Sequence, residues 1–283
     1  MSNISLDITT QELTLNVESQ GIKSIEDLAN EFIFSFNTVA ELQAYTLLND
    51  GQIAFVIDKQ RGGLFAYEAG ANQADDDDGT IFAMDTIAGC VNRDWTGVVA
   101  HTGWWGVKAD STGIGIGTDD TLAIQTAINA VSNMDTVLEL WFEAKGHRTT
   151  STIYGSYHSD NNAGFNSEAL EHGWLQLRSP VETGSSTVQF DVTPSGCIFY
   201  CAATSSPAFY VDRPTEIVGG SLDIATSGNP YFSRNMRIEG LSFIQHTTTE
   251  VVKLNWFNAH SNLRHCFIRQ LDENGDGLLL GQS

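Results

Sequence analysis

The segment Gly103-Trp104-Trp105-Gly106-Val107-Lys108-Ala109-Asp110, followed by Gly117-Thr118-Asp119-Asp120-Thr121-Leu122-Ala123-Ile124-Gln125-Thr126-Ala127-Ile128, constrains this chain more than any other. It reads as a strand, a glycine-rich turn, a capped start and then an amphipathic helix. Thr118 or Asp119 supplies a side-chain oxygen for the orphan amides of a helix start. Asp119 and Asp120 place negative charge at the positive end of the helix dipole. Leu122, Ala123, Ala127, Ile128 and Val131 repeat at helical spacing with Ile124 beside them, which predicts one apolar stripe on a helix over 118–132. Such a stripe must cover something. Periodicity alone is equally satisfied by an amphipathic helix of any α/β domain.

The remainder of the chain favours β structure. Of 283 residues, 26 are glycine and only 5 proline, and short β-branched and aromatic runs recur between turns. Outside 118–132, only 23–31 and 38–44 carry a helical pattern. Net charge is −21, which repels nucleic acid and anionic lipid, so neither is expected as a partner. No apolar run approaches the roughly 20 residues of a membrane span. The first residues, Met1-Ser2-Asn3-Ile4-Ser5-Leu6-Asp7, lack the basic segment and apolar core of a secretory signal. A soluble protein made in the cytoplasm is therefore expected. Cys90, Cys197, Cys201 and Cys266 show neither a zinc-ligand spacing nor a disulfide framework, and are predicted to be reduced, buried, small hydrophobic residues.

The pattern divides the chain into three segments. Residues 1–36 hold two period-2 runs, Ile4-Leu6-Ile8 and Leu13-Leu15-Val17, and then the aromatic strand Phe32-Phe34-Phe36. So small a region buries little surface alone, and it is expected to pack on another subunit or protein. In residues 37–100, Thr38 and Glu41 have capping-box spacing ahead of a short helix. Strands over 51–57, 61–67 and 80–82 come next. The run Asp75-Asp76-Asp77-Asp78 offers carboxylates to a calcium ion, but consecutive residues seldom converge on one ion, and a solvated turn is expected. Residues 101–283 hold short strands at 137–142, 174–177, 187–190, 197–200, 208–211, 236–244, 251–254 and 262–268, separated by Gly, Ser, Asn and Asp turns. The runs 237–243 and 262–268 look like successive equivalents, about 25 residues apart.

The opening segment resembles that of right-handed parallel β-helix proteins of the pectate-lyase type, above all phage tailspikes and tail fibres. These often begin W-F-G-A-K-G-D-G-x-x-D-D-T-x-A-I-Q-x-A-I. Here the pattern stands as WWGVKAD, a longer loop over 111–117, and TDDTLAIQTAI. The segments TVAELQAY, GQIAFVI, GGLFAYEAG, DDDDGTIFA and NRDW resemble, in order, a small module often placed before tailspike β-helices. The resemblance covers residues 37–132. It departs from the pattern after Leu140-Trp141-Phe142, where the usual proline is missing.

The resemblance implies a mostly β chain, with small N-terminal β-rich anchoring and neck modules followed by a helix-capped right-handed parallel β-helix, a solenoid. It implies a virion tail component in which 1–36 dock on the phage tail, baseplate or an adaptor protein. Residues 37–100 would form a neck, and 101–283 the capping helix and first coils of a homotrimer that recognises a host surface glycan. The apolar run Leu278-Leu279-Leu280 near the end suggests another coil, and hence a polypeptide that continues past Ser283 or whose open end another chain covers. Two alternatives stand beside this reading: a polysaccharide lyase or hydrolase of the same fold, and a purely structural tail adaptor.

Glycoside hydrolysis needs two carboxylates about 5–10 Å apart with separated pKa values. Glu239, Asp272, Glu273 and Asp276 are candidates, and Arg237, Arg264 and Arg269 are candidate bases for a lyase; none sits in a recognisable catalytic pattern. Catalytic residues are thus unknown from sequence, and no cofactor or metal is predicted. Asp272-Glu273-Asn274-Gly275-Asp276-Gly277 fits half a calcium loop, but its twelfth position is Ser283 where a bidentate Glu is needed. His158, His172, His246, His260 and His265 show no metal-ligand spacing. Of six tryptophans (95, 104, 105, 141, 174 and 256), all able to stack on sugar rings, Trp104 and Trp105 are read as packing beneath the helix.

Overall fold

In the computed structural model the described residues are 5–9, 12–16, 34–95, 97–132, 134, 139–155, 175–179, 196–211, 217–218, 221–222, 236–247, 249–254, 262–272 and 277–280. The period-2 runs at the start form an antiparallel pair, β1 (Ser5–Thr9) and β2 (Glu12–Asn16), with Leu6 opposite Leu15 and Ile8 opposite Leu13. The helical pattern at 23–31 and the strand at 187–190 lie outside the described residues.

The next unit is a five-stranded mixed sheet built from β3 (Phe34–Phe36), β4 (Ile53–Val56), β5 (Gly63–Glu68), β6 (Ile81–Ala83) and β7 (Cys90–Arg93), in the order β3-β4-β5-β7-β6. Phe34–Phe36, expected in the first segment, pairs with β4 and so belongs to this sheet. Strands β3 and β4 are parallel, which requires a crossover. Helix α1 (Val39–Gln43) provides it, burying Val39 and Leu42 against Ala54, Val56, Phe65, Phe82 and Val91. The Thr38 half of the predicted capping box forms, while Glu41 reaches one residue further back, to Asn37. Thr38 Oγ1 accepts from the Glu41 amide at 3.1 Å, and Glu41 Oε2 accepts from the Asn37 amide at 2.8 Å. The acidic run is consumed by its own turn. Asp77 Oδ1 accepts from the amides of Gly79 (2.9 Å), Thr80 (2.6 Å) and Ile81 (2.9 Å), Asp76 accepts from the amides of Asp78 and Ala83, and Asp78 pairs with Arg61. Asp77→Ala is therefore expected to cost about 1.5–3 kcal/mol, read as a lower urea midpoint; an unchanged midpoint would show that the turn holds itself.

Arg93 fastens this sheet to the Trp104–Trp105 segment. It donates to the carbonyls of Gly62 (2.7 Å), Arg61 (2.9 Å) and Gly79 (3.2 Å), and its guanidinium lies 4.6 Å from the Phe65 ring centroid and 4.5 Å from that of Trp104. The Trp105 ring sits so close to Gly79 that any side chain there would run into it.

From β8 (Val99–His101) onward the sheets are parallel. Strand β8 straddles the expected boundary at residue 100 and pairs with β9 (Glu139–Trp141), so it joins the later sheets. The chain then runs through β10 (Gly146–Thr149), β11 (Ile153–Tyr154), β12 (Leu175–Arg178), β13 (Cys197–Cys201), β14 (Phe209–Val211), the antiparallel pair β15 (Ile217–Val218) and β16 (Ser221–Leu222), β17 (Met236–Glu239), β18 (Leu241–Gln245), β19 (Val252–Leu254), β20 (Asn262–Arg264), β21 (Phe267–Gln270) and β22 (Leu278–Leu280). Three parallel sheets result, ordered β8-β9-β12-β17-β20, β10-β13-β18-β21 and β11-β14-β19-β22. Apart from the β15–β16 pair, successive strands after β8 enter the three sheets in turn, and each circuit adds one strand to each.

Registers stack like on like along these sheets. Ala100, Leu140, Leu177 and Ile238 form one buried column; Phe199 and Phe243, with His147 ahead of them, form a second; Ile153, Phe209 and Val252 form a third. The runs 237–243 and 262–268 are indeed equivalents, with Ile238 opposite Leu263 and Phe243 opposite Ile268. Each, however, is two strands rather than one. The chain turns a corner at Gly240 (φ +72°) and at His265 (φ +50°), so one left-handed residue replaces the polar turn that marks corners elsewhere.

Helix α2 (Thr121–Ser132) begins later than the predicted 118. Ile124, Ala127, Ile128 and Val131 are buried in one cluster with Trp105, Val107, Leu140 and Ile153. Leu122, read as part of the stripe, is 79% exposed, because two residues before Ile124 is the far side of a 3.6-residue turn. Cys90, Cys197 and Cys201 are buried free thiols; Cys266 is only partly buried, contrary to expectation.

Candidate functional site

Period-2 alternation puts aliphatic residues of the first parallel sheet inside and polar ones outside. On either side of the Leu140–Leu177–Ile238–Leu263 column run two outward rows. One is His101–Trp141–Arg178–Glu239–Arg264 and the other is Val99–Glu139–Gln176–Arg237–Asn262. Strands about 4.8 Å apart bring these side chains into contact. Arg178 Nη1 lies 3.2 Å from Glu139 Oε1, and Arg178 Nε lies 3.4 Å from Glu239 Oε2. Arg237 Nη2 approaches the same Glu239 oxygen at 2.7 Å, and His265 Nδ1 lies 3.6 Å from Glu239 Oε1. The indole N–H of Trp141 donates to Glu139 Oε2 at 2.7 Å, and the His101 ring meets Trp141 edge-on at 5.7 Å.

The result is an alternating chain of carboxylates and guanidiniums with an aromatic end. The side chain of Glu239 is 8% exposed, and removal from water would be costly without these cations. Arg178 and the Trp141 indole occupy acceptor sites of Glu139, while Glu239 is held by charge pairing, its Oε2 making no hydrogen bond. A general acid instead needs an oxygen free to face its substrate. The row is therefore suited to holding hydroxylated or carboxylated ligands by forked hydrogen bonds rather than to proton transfer.

Of the candidates named from sequence, Glu239, Arg237 and Arg264 fall on this face together. Arg269 lies on β21 in the second sheet, opposite Ile244, away from that row. Asp272 lies 3.4 Å from His246. Glu273 and Asp276, and with them most of the half calcium loop, lie outside the described residues, as do His158, His172, His260, Trp174 and Trp256. Sequence reasoning did not pick out Glu139, Arg178 or His101. The signal for Glu139 and Arg178 was the repeated triplet with an aliphatic centre, Glu139-Leu140-Trp141, Gln176-Leu177-Arg178 and Arg237-Ile238-Glu239, which marks strands but not which triplets become neighbours.

A second cluster is internal. Asp120 (1% exposed) accepts from the amides of Lys108 at 2.7 Å and Ala109 at 3.0 Å, and His147 (0% exposed) stands 3.6 Å from it, at ion-pair rather than hydrogen-bond distance. The His147 ring stacks on Phe199 at 5.3 Å and its Nε2 meets the Glu143 carbonyl at 3.2 Å. Asp119, one of the two expected caps, accepts from the Thr121 amide at the helix start, and also from the Thr121 and Thr150 hydroxyls. Thr118 turns away to Asp110. Sealed from solvent, the Asp120–His147 cluster is structural.

Among the described residues no group of three or more His, Cys, Asp or Glu side chains is arranged to hold a metal ion, and no helix is long and apolar enough to cross a membrane.

No family model and no curated protein matches the chain. Similar solved structures are phage tailspike proteins. A tailspike protein gp49 of Acinetobacter baumannii bacteriophage Fri1, a capsular polysaccharide depolymerase, is 13% identical with a TM-score of 0.48, over 87% of this chain and 42% of that one. The tailspike protein of Acinetobacter baumannii phage AM24 is 16% identical with a TM-score of 0.43, over 83% of this chain and 34% of that one. A full-length tailspike protein 2 of an Escherichia coli O157:H7 bacteriophage is 15% identical with a TM-score of 0.38, over 94% of this chain and 40% of that one. The chain thus spans 42% or less of each of these proteins.

Proposed function

We propose that this chain is a component of a phage tailspike or tail fibre that presents a β-helix for recognition of a host surface polysaccharide. In this reading the three parallel sheets are the walls of a right-handed parallel β-helix, the hand that parallel crossovers nearly always take. Helix α2 caps its first turn, shielding the apolar end. The β1–β2 pair and the small mixed sheet form the tail-docking and neck parts, and three copies assemble about the long axis in the virion. The observation that carries the reading is the fixed order in which the chain enters three parallel sheets, circuit after circuit, right after the Asp119-Asp120-Thr121 helix start. The outward Trp141–Arg178–Glu239–Arg264 row supplies the glycan-binding face. Its engaged carboxylates favour binding over cleavage.

The test has two parts. Immunogold labelling of purified phage particles with antibody to this chain is expected to mark the tail; unlabelled particles would remove the virion assignment. The purified chain is expected to capture surface polysaccharide of the host, and Arg264→Gln, at an exposed position, to weaken capture about tenfold, the order expected for a charged hydrogen bond. Equal capture by the variant would exclude the row. Shortening of the captured polysaccharide would instead favour a depolymerase.

A further inference from the structure

A cavity of about 240 Å³ opens where the small sheet meets the first circuit of the parallel sheets. Lys59 and Gln60, from the turn after β4, form one wall; His101 and Trp104 form the second; Trp141 and Glu143 form the third. Pockets for drug-sized ligands hold roughly 300–1,000 Å³, so this one suits a single ring.

Its lining is chemically mixed in a particular way. Two half-buried indoles, Trp104 and Trp141, contribute apolar surface, and the His101 ring lies between them, 5.6 Å from the first and 5.7 Å from the second. Partial burial, reinforced by Arg93, holds the His101 pKa below the ordinary histidine value. At neutral pH its ring is therefore uncharged and able both to donate and to accept. The Gln60 amide is fixed by donating to the Val107 carbonyl at 3.1 Å and accepting from Lys108 Nζ at 3.3 Å. Glu143 already has its cation, Lys145 Nζ at 2.6 Å. The exposed Lys59 ammonium, by contrast, has no ion-pair partner among the described residues. Aromatic faces beside rigid polar groups match a ring with an apolar C–H side and a hydroxylated rim. The unmatched cation asks for an anion on that ring.

We infer that this junction cavity is a subsite for one hexuronate residue, its ring against Trp104 and Trp141 and its carboxylate on Lys59. The inference rests on the glycan-recognition reading and adds a second contact point, at the aromatic end of the Arg178–Glu239 row where it meets the small sheet. The probe is sodium glucuronate, followed by saturation-transfer NMR on the full chain, with glucose as the uncharged comparison. Saturation transfer to glucuronate is expected. Lys59→Gln is expected to weaken it about fivefold, the scale of one exposed charge pair, and Trp141→Ala to abolish it. Lys59 is exposed, so its variant remains informative if Trp141→Ala misfolds. Equal binding of glucose, or glucuronate binding indifferent to Lys59→Gln, would overturn the inference. If glucuronate shows no transfer while polysaccharide is still captured through Arg264, the subsite fails alone; if neither binds, the glycan reading fails with it.

Discussion

Asp120→Ala is expected to destabilise the protein by about 3–5 kcal/mol, the range for leaving one member of a buried ionic cluster without its partner. Three consequences combine. The amides of Lys108 and Ala109 lose a charged acceptor at 2.7 and 3.0 Å, and the second of these bonds is buried. Ala109 sits at φ +50°, a left-handed conformation that a residue with a Cβ resists, and the bond to Asp120 helps to hold it there. The buried His147 loses its nearby anion. Backbone bonds that position the helix, Ile124 N–H to the Asp120 carbonyl and Asp120 N–H to the Arg148 carbonyl, do not need the carboxylate, so α2 should still form. Urea denaturation checks the magnitude, and a loss below about 1 kcal/mol, the size of an ordinary neutral hydrogen bond, would refute the role assigned to the carboxylate.

The same cluster sets a pH dependence. Burial opposes charge on His147 most strongly, but the Cys197 sulfur, the Asp120 carboxylate and the Glu143 carbonyl outweigh it and push the pKa up to about 10. A histidine whose pKa is raised on folding binds its proton more tightly in the native state. Its contribution is fully present below the unfolded value of about 6.5 and is lost as pH rises through about 10. Stability should therefore fall between those limits, and the fall should become shallower in Asp120→Ala, which removes one of the three raising groups. A wild-type stability that is level across this window would contradict the assignment.

Phe243→Ala is the second large effect, at about 3–5 kcal/mol. Its ring is fully buried, stacked on Phe199 at 5.1 Å and 22°, and 5.2 Å from Phe209. It thus joins two of the three sheets, and truncation leaves a cavity that the stacked backbone above and below cannot close. Leu122→Ala is the matched control, since a 79% exposed leucine should change stability by less than about 0.5 kcal/mol. Comparable losses from both would mean that the column does not hold the sheets together.

These two sites differ in how far the sequence revealed them. The Asp119-Asp120-Thr121 start is plain as a helix signal and Asp119 meets the first helical amide as expected, but the amides that Asp120 holds are not legible in the local pattern. Asp119 serves Thr121 and Thr150, and Asp120 reaches back to Lys108 and Ala109 across the loop. Capping preference is local, and it does not say whether a nearby loop will offer better donors. Phe243 was legible as an apolar strand residue, but its stacking partners come from residues 199 and 209.

Local physics determined much of this protein in advance. The Thr38–Glu41 cap, the buried 124-127-128-131 face, the acidic turn at 75–78 and the run of short strands all arise from bonds and periodicities within a few residues. Tertiary structure alone decided which strands become neighbours, where Gly240 and His265 turn the chain between sheets, and therefore that Glu139, Arg178 and Glu239 form one charged cluster. Alternation tells each strand which side chains face inward. Register between strands separated by long and unequal connections is set only by the stacking of whole circuits, and no local pattern carries that information.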